Sequence, residues 1–315
     1  MTNRTTTRVR VATAIALSAF LVAGCNRGDA DNGKKTIAFV PKAMDSEFWL
    51  TMRSGAQKAL EGRDDVVLSV LAPDREINVD QQVSILEDQI QRGAKALVVA
   101  PAGSAQVMPV LENAIGRGIP VVLVDSDAPL AGKSAYAGTD NRAGGTLAGK
   151  HVIDTVGAGK IAIITGVPGN QSQDDRAAGF LETVATVPGL QVVTQQPANS
   201  ERSLGLTVME NILTAHPDIK AVFATNDQMA LGAVEAIMAR SPKAGIVVVG
   251  FDATAEAVQA IIDGRMSASV AQRPFEMGRR SVEAALALID GRTVEPRIDT
   301  GTELVTSANA QGYKK

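Results

Sequence analysis

A single cysteine and two histidines are all that the 315 residues contain of those types. One thiol closes no disulfide within the chain, and three such ligands cannot complete a Cys/His zinc site. No metal is expected. Aromatic residues make up only 3%, so any surface that stacks on a ligand is built from very few rings. An excess of positive charge is lacking as well: 34 acidic against 31 basic side chains leave a net charge of -3. That balance excludes a general nucleic-acid binder, which needs a basic face. What is there is 45% hydrophobic residues with 29 glycines, the make-up of a folded α/β protein and not of a disordered or collagen-like chain. The length allows two packed domains, because single cores stop growing near ~250–300 residues.

The N-terminal segment reads as an address. Residues 1–10 carry Arg4, Arg8 and Arg10 with no acid, and an apolar run of 12 residues follows at 11–22. A membrane-spanning helix needs ~20. The run ends in Val22-Ala23-Gly24-Cys25. A basic start, a short apolar middle and small residues before a cut mark a secretory signal. With cysteine directly after the small pair, the segment resembles a bacterial lipoprotein signal, which implies a lipid on Cys25 and removal of residues 1–24. That removal takes away three arginines and no acid, so the net charge passes from -3 to -6. Residues 25–35 then form a polar tether to the membrane. The expected location is the periplasm or the outer face of the cell membrane.

From residue 36 onward, short β-branched runs at 36–40, 66–71, 96–100, 120–125, 160–165, 190–194, 221–225 and 246–251 alternate with helical patterns. Runs this apolar predict strands buried on both faces. Phe48, Trp49, Met52, Ala56 and Leu60 share one helical face, as do Val79, Val83, Leu86 and Ile90. Strand and helix in alternation predict parallel sheets wound with helices on both sides. Four such units precede about residue 139 and four follow. Two doubly wound lobes fit the length better than one eight-stranded sheet.

In such sheets ligands gather beyond the carboxyl ends of the strands. Lys42, Ser46, Phe48 and Trp49 follow the first strand, and Asp125-Ser126-Asp127 the fourth. Residues 166–175, then Arg176 and Gly179-Phe180, follow the fifth; Asn226-Asp227 follows the seventh and Asp252 the eighth. Gln272 comes after a short run at 268–271. Planar polar groups pair with vicinal hydroxyls through two hydrogen bonds, and rings cover the apolar faces of a sugar. Taken singly, each acid is equally readable as a helix N-cap and each ring as core. Six polar strand ends together point to a small polyhydroxy ligand. They contain no coordinated acid, base and nucleophile.

These strand ends belong to longer stretches: Gly138-Thr139-Asp140-Asn141, Arg176-Ala177-Ala178-Gly179-Phe180, Leu213-Thr214-Ala215-His216-Pro217-Asp218, Asn226-Asp227 and Val248-Val249-Gly250-Phe251-Asp252. On them, from about residue 34 to 307, the chain resembles the periplasmic ribose-binding proteins of ABC sugar importers. The resemblance implies two parallel-sheet lobes joined by a three-strand hinge, a monosaccharide ligand, a permease and ATPase as partner, a monomer, no catalysis and no cofactor. It implies lobes of 36–139 plus 273–299 and 140–272 plus 300–315. The family's sugar contacts fall here on Phe48, Asp125, Arg176, Asn226, Asp252 and Gln272.

Other positions depart from the ribose pattern. Lys42 replaces a serine, Ser46 an asparagine, Trp49 a second phenylalanine, Ser126 an arginine and Ser200 a third ring. A cation lost at 126 and one gained at 42 keep one positive donor in the cleft. Lys42, Asp125-x-Asp127 and Gln272-Arg273-Pro274 resemble relatives that take glucose-like pyranoses, so a six-carbon sugar is expected to bind better than ribose. A branch with a similar lysine and paired aspartates takes a furanosyl signal, which leaves a sensor as the alternative, its closed form read by a chemoreceptor or sensor kinase. A repressor needs a basic helix-turn-helix ahead of this fold, and residues 1–33 hold none. No Gly-x-Ser-x-Gly, Gly-x-x-x-x-Gly-Lys-Ser/Thr or Gly-x-Gly-x-x-Gly occurs to suggest an enzyme. His151 and His216 have no evident nucleophile partner and read as packing residues. Arg176 has a competing role in a surface ion pair with Asp174 or Asp175. Asn170-Gln171-Ser172 matches a glycosylation acceptor by chance.

Overall fold

The apolar runs and helical periods alternate in space as they do in the chain. The computed structural model describes residues 1–2, 33–240 and 245–314; Cys25 and the leader's apolar run lie outside the described residues. The first half runs β1 (Lys35–Val40), α1 (Glu47–Lys58), β2 (Val66–Val70), α2 (Val79–Gln91), β3 (Ala96–Val99), α3 (Ser104–Gly116), β4 (Val121–Val124) and β5 (Ala135–Gly138). There follow α4 (Asn141–Val156), β6 (Gly159–Thr165), α5 (Gln171–Val184), β7 (Leu190–Pro197), α6 (Arg202–Ala215), β8 (Ile219–Ala224), α7 (Asp227–Arg240), β9 (Val247–Asp252), α8 (Ala255–Ile262) and β10 (Ala268–Ala271). Last come α9 (Pro274–Ile289), β11 (Arg297–Asp299) and β12 (Glu303–Thr306). Among the described residues no helix is long and apolar enough to cross a membrane.

Among the described residues two six-stranded sheets form, ordered β11-β5-β4-β3-β1-β2 and β12-β10-β9-β8-β6-β7. The first is parallel throughout, and in the second only β12 runs antiparallel, against β10. Inner strands are buried on both faces. In β1, Ile37 and Phe39 enter one core and Ala38 and Val40 the other; in β8, Ala221 and Phe223 separate from Val222 and Ala224 in the same way. That double burial is why these runs are uniformly apolar. β2 and β7 depart from it. Both are edge strands, and only their first residues, Val66 and Leu190, are buried. Three strands were not expected at all: β5, β11 and β12 are short, and none has a continuous β-branched run.

Each sheet repeats the same order, with its second strand outside the first and the third on the other side, which creates a switch point between β1 and β3 and another between β6 and β8. Glycines fix how closely α5 approaches α4 in the second lobe. A Cβ on Gly145 would stand 2.1 Å from the Arg176 carbonyl oxygen, and one on Gly179 2.1 Å from that of Arg142. Only glycine allows backbones this close. The approach carries Arg176 onto the start of α4. The chain leaves the first sheet after Gly138, rejoins that side with α9, and leaves again after Asp299.

Candidate functional site

Both switch points open on one cavity of about 530 Å³, within the ~300–1,000 Å³ usual for small-molecule sites. Eight of the ten residues singled out as ligand-binding line it: Lys42, Ser46, Phe48, Trp49 and Asp125 from the first lobe, and Arg176, Asn226 and Asp252 from the second. Ser126 is fully buried behind Lys42. Gln272 opens on a smaller neighbouring pocket shared with Phe48 and Asp252.

Arg176 lies in the second turn of α5 and is 3% exposed. Its Nε donates to Asn141 Oδ1 at 2.8 Å and its Nη1 to the Thr225 carbonyl at 2.9 Å, while the guanidinium packs 3.9 Å over the Phe251 ring. Two anchors and a ring fix the plane of the fork. Asp252 Oδ1 lies 3.6 Å from Nη1 and Asp125 Oδ1 3.9 Å from Nη2, too far for direct hydrogen bonds. These interactions replace the surface ion pair with Asp174 or Asp175. They also tie Arg176 into the core of its lobe, so it is not a side chain waiting in an open cleft.

The two aspartates are held in unusual backbone. Asp125 has φ 63° and Asp252 φ 118°, conformations that cost a non-glycine residue of order 1–3 kcal/mol and collect at functional sites. Asp125 is pinned through its carbonyl, which accepts from the Tyr136 hydroxyl at 3.0 Å. The Asp252 carboxylate accepts from Gln272 Nε2 at 2.7 Å. Burial pushes the Asp252 carboxyl well above its ordinary range, with Arg176 pulling the other way. Gln272 Oε1 is buried without a hydrogen-bond partner among the described residues.

Lys42 differs from the free cleft donor expected of it. Its ammonium donates to Asp125 Oδ2 at 2.8 Å and Ser126 Oγ at 2.7 Å, and across the cleft to Asn170 Oδ1 at 2.9 Å and Ser172 Oγ at 3.0 Å. Three protons facing four acceptors leave nothing over. Positions 42 and 126, read as exchanging a cation, do meet in space. Asn226 is also engaged: its Oδ1 accepts from the Met229 N–H at 2.9 Å, capping α7, and its Nδ2 donates to the Ser200 carbonyl at 3.4 Å.

Several wall residues escaped the sequence reading. Glu76, beyond the carboxyl end of β2, accepts from Ser200 Oγ at 2.8 Å, Trp49 Nε1 at 3.3 Å and Asn170 Nδ2 at 3.5 Å. The rule that ligands gather beyond strand ends points to it, had β2 been read like its neighbours. Gln173 joins Ser200 at 3.0 Å and accepts from the Thr225 hydroxyl. Asn170 is fully buried, which closes the glycosylation reading. Phe180 is core and not wall, stacked on Phe223 with centroids 4.6 Å apart. His151 does have a hydroxyl partner, Ser267 Oγ at 2.6 Å from Nε2, but the pair lies off the cavity wall. Among the described residues no group of three His, Cys, Asp or Glu is placed to hold a metal ion.

A family model described as a periplasmic binding protein domain matches residues 37–293. The chain is 36% identical over 306 residues to the ribose import binding protein of Bacillus subtilis (strain 168), covering 94% of this chain and 98% of that one. Among solved structures it is similar to an ABC transporter periplasmic solute binding protein from Actinobacillus succinogenes with bound D-allose. The two share 31% identity and a TM-score of 0.81 over 89% of this chain and 100% of the other. A solute binding protein from Agrobacterium vitis with bound D-fucose is 31% identical, with a TM-score of 0.84 over 87% of this chain and 96% of its own.

Proposed function

The chain belongs to the periplasmic binding protein family, and on that premise we propose that it captures a monosaccharide between its lobes and delivers it to an ABC importer. One observation carries the reading: Arg176, buried and oriented, faces Asp125 and Asp252 across 3.9 and 3.6 Å gaps inside the cavity. Vicinal hydroxyls fit such gaps. They accept from the fork and donate to the carboxylates at once, which satisfies groups that are costly to bury half-bonded. Phe48 and Trp49, at 4.9 Å and nearly perpendicular, offer the ring's apolar face a cover. Gln272 holds the Asp252 carboxylate in place from behind through its Nε2 bond.

Capture works through a hinge at the three connections near residues 139–140, 272–273 and 299–302, with lobes of 36–139 plus 273–299 and 140–272 plus 300–315. Sugar shifts the open–closed equilibrium by bonding to both lobes. Lys42 closes the wall and is not itself a sugar contact. Ser126 supports Lys42 from behind. The working unit is a monomer, tethered to the outer face of the membrane by a lipid on Cys25, and it carries out no catalytic step.

A thermal-shift screen of residues 26–315 against pentoses, hexoses, deoxyhexoses and polyols tests this. A ligand that binds only the folded state adds about 2.7 kcal/mol at a hundredfold excess over Kd. At least one monosaccharide should raise the melting temperature, whereas none doing so would remove the assignment.

A further inference from the structure

The charges around the cavity do not balance. Four cations and six carboxylates line it. Each cation already faces a carboxylate: Lys42 with Asp125 at 2.8 Å, Arg75 with Glu201 at 3.1 Å, Arg176 with Asp252 at 3.6 Å and Arg202 with Glu235 at 2.5 Å. Among the described residues, the two carboxylates on this wall without a lysine or arginine within ion-pair distance are Asp45 and Glu76. Asp45 is exposed, where water and salt screen it. Glu76 is not: it is 9% exposed.

A buried carboxylate is costly unless it is paired. The partners of Glu76 are an indole N–H, an amide and a hydroxyl, which bring hydrogen bonds and no charge. The nearest cation it feels is Lys42, whose ammonium is committed to Asp125, Ser126, Asn170 and Ser172. A carboxylate has about four lone-pair directions, and three donors leave one for the cavity. A neutral sugar supplies a hydroxyl there but no compensating charge. An ammonium supplies both.

We propose that the ligand of this cavity is a cationic polyhydroxy ring, an amino sugar or an amino-substituted cyclitol, and that Glu76 receives its ammonium. The inference rests on the reading of the cavity as a monosaccharide site and narrows the class within it. Burial holds the Glu76 carboxyl above its ordinary range, and an ammonium alongside keeps it ionised.

Calorimetry with matched pairs tests this, using D-glucosamine against D-glucose and D-galactosamine against D-galactose, below the pKa of the sugar amine. The amine of at least one pair should bind about tenfold or more tightly than its neutral parent, the worth of a charge-assisted bond to a buried group. The N-acetyl derivative keeps the nitrogen and loses the charge, so it should lose the advantage. In Glu76→Gln the preference of the amine over its neutral parent should collapse. Should that variant not fold, the wild-type pairs and the N-acetyl control decide alone. Neutral parents binding as well as or better than their amines would overturn the amine assignment and leave the monosaccharide reading standing. If no neutral or amino ring binds, both fall.

Discussion

Lys42 Nζ stands 2.9 Å from Asn170 Oδ1, across the cleft from its own strand. The same ammonium is held on its own side by Asp125. One proton-rich group therefore bonds both walls, and it can do so fully only when the lobes are together. Opening of the proposed hinge would give the far pair to water. On that hinge the lysine would act on closing more than on the sugar.

Removing this tie should open the ligand-free protein. Lys42→Met leaves Asp125 buried without its cation, and losing one partner of a buried ion pair costs ~3–5 kcal/mol. That cost falls on the closed form, because the open cleft rehydrates the carboxylate. Small-angle scattering should give the variant a larger radius of gyration without sugar, and affinity should drop by about tenfold or more. Ser172→Ala removes one cross-cleft bond of roughly 0.5–1.5 kcal/mol and should weaken binding by a smaller factor. Unchanged scattering and unchanged affinity in both variants would remove Lys42 as a latch.

Arg176 should matter twice. Arg176→Ala deletes charged donors worth about 1.5–3 kcal/mol each when desolvated, so affinity should fall at least about tenfold. It also breaks the bonds to Asn141 and the Thr225 carbonyl, so the sugar-free melting temperature should fall too. Arg176→Lys should recover affinity only in part, because an ammonium lacks the planar fork. Calorimetry and melting curves on the three proteins separate the effects; an alanine variant within twofold in affinity would take Arg176 out of the site.

A pH dependence follows from Asp227. Its carboxylate, fully buried, accepts from Ser269 Oγ at 2.7 Å and from the Thr254 N–H at 2.8 Å. Burial pushes its pKa up to about 7. The folded state then holds its proton more tightly than the unfolded chain does, so stability should fall as pH rises from about 4 to about 7 and level off above. Asp252, raised for the same reason, adds to the slope in the same sense. Urea unfolding across that range should show a shallower decline in Asp227→Asn than in the wild type. Identical slopes would mean that Asp227 does not titrate in this window.

How much of this the sequence displayed depends on what held each residue in place. β1, β4 and β8 were readable because double burial demands uninterrupted apolar runs. β5, spelled Ala-Tyr-Ala-Gly, was not: its small residues fill space under α9 and carry no strand propensity of their own. Most of the cavity wall was legible because it follows strand ends, and Asp125 and Arg176 came from that rule alone. Glu76 follows β2 by the same rule and Asn170 falls in the stretch at 166–175, but a single polar residue in a loop has no period to single it out. The role of Lys42 was also hidden. Nothing in residues 42, 126, 170 and 172 says that four distant positions converge on one ammonium.

Membrane attachment has its own test. If Cys25 carries the lipid, Cys25→Ser in the full chain should leave the leader uncut by a lipoprotein-specific peptidase and the protein without the mass of a lipid. Fractionation and intact mass are sufficient. The same membrane-bound, lipid-bearing mass in the variant would contradict the anchor and leave the cleft untouched.

Calorimetric titration of residues 26–315 decides whether the cavity around Arg176 is a monosaccharide site. The panel is D-ribose, D-allose, D-galactose, D-fucose, D-arabinose, D-glucosamine and D-galactosamine, with Arg176→Ala run in parallel. Saturable one-to-one binding of at least one member is expected, a six-carbon ring ahead of ribose, with loss of that heat in Arg176→Ala. No saturable heat from any member, or equal binding by the alanine variant, would contradict it.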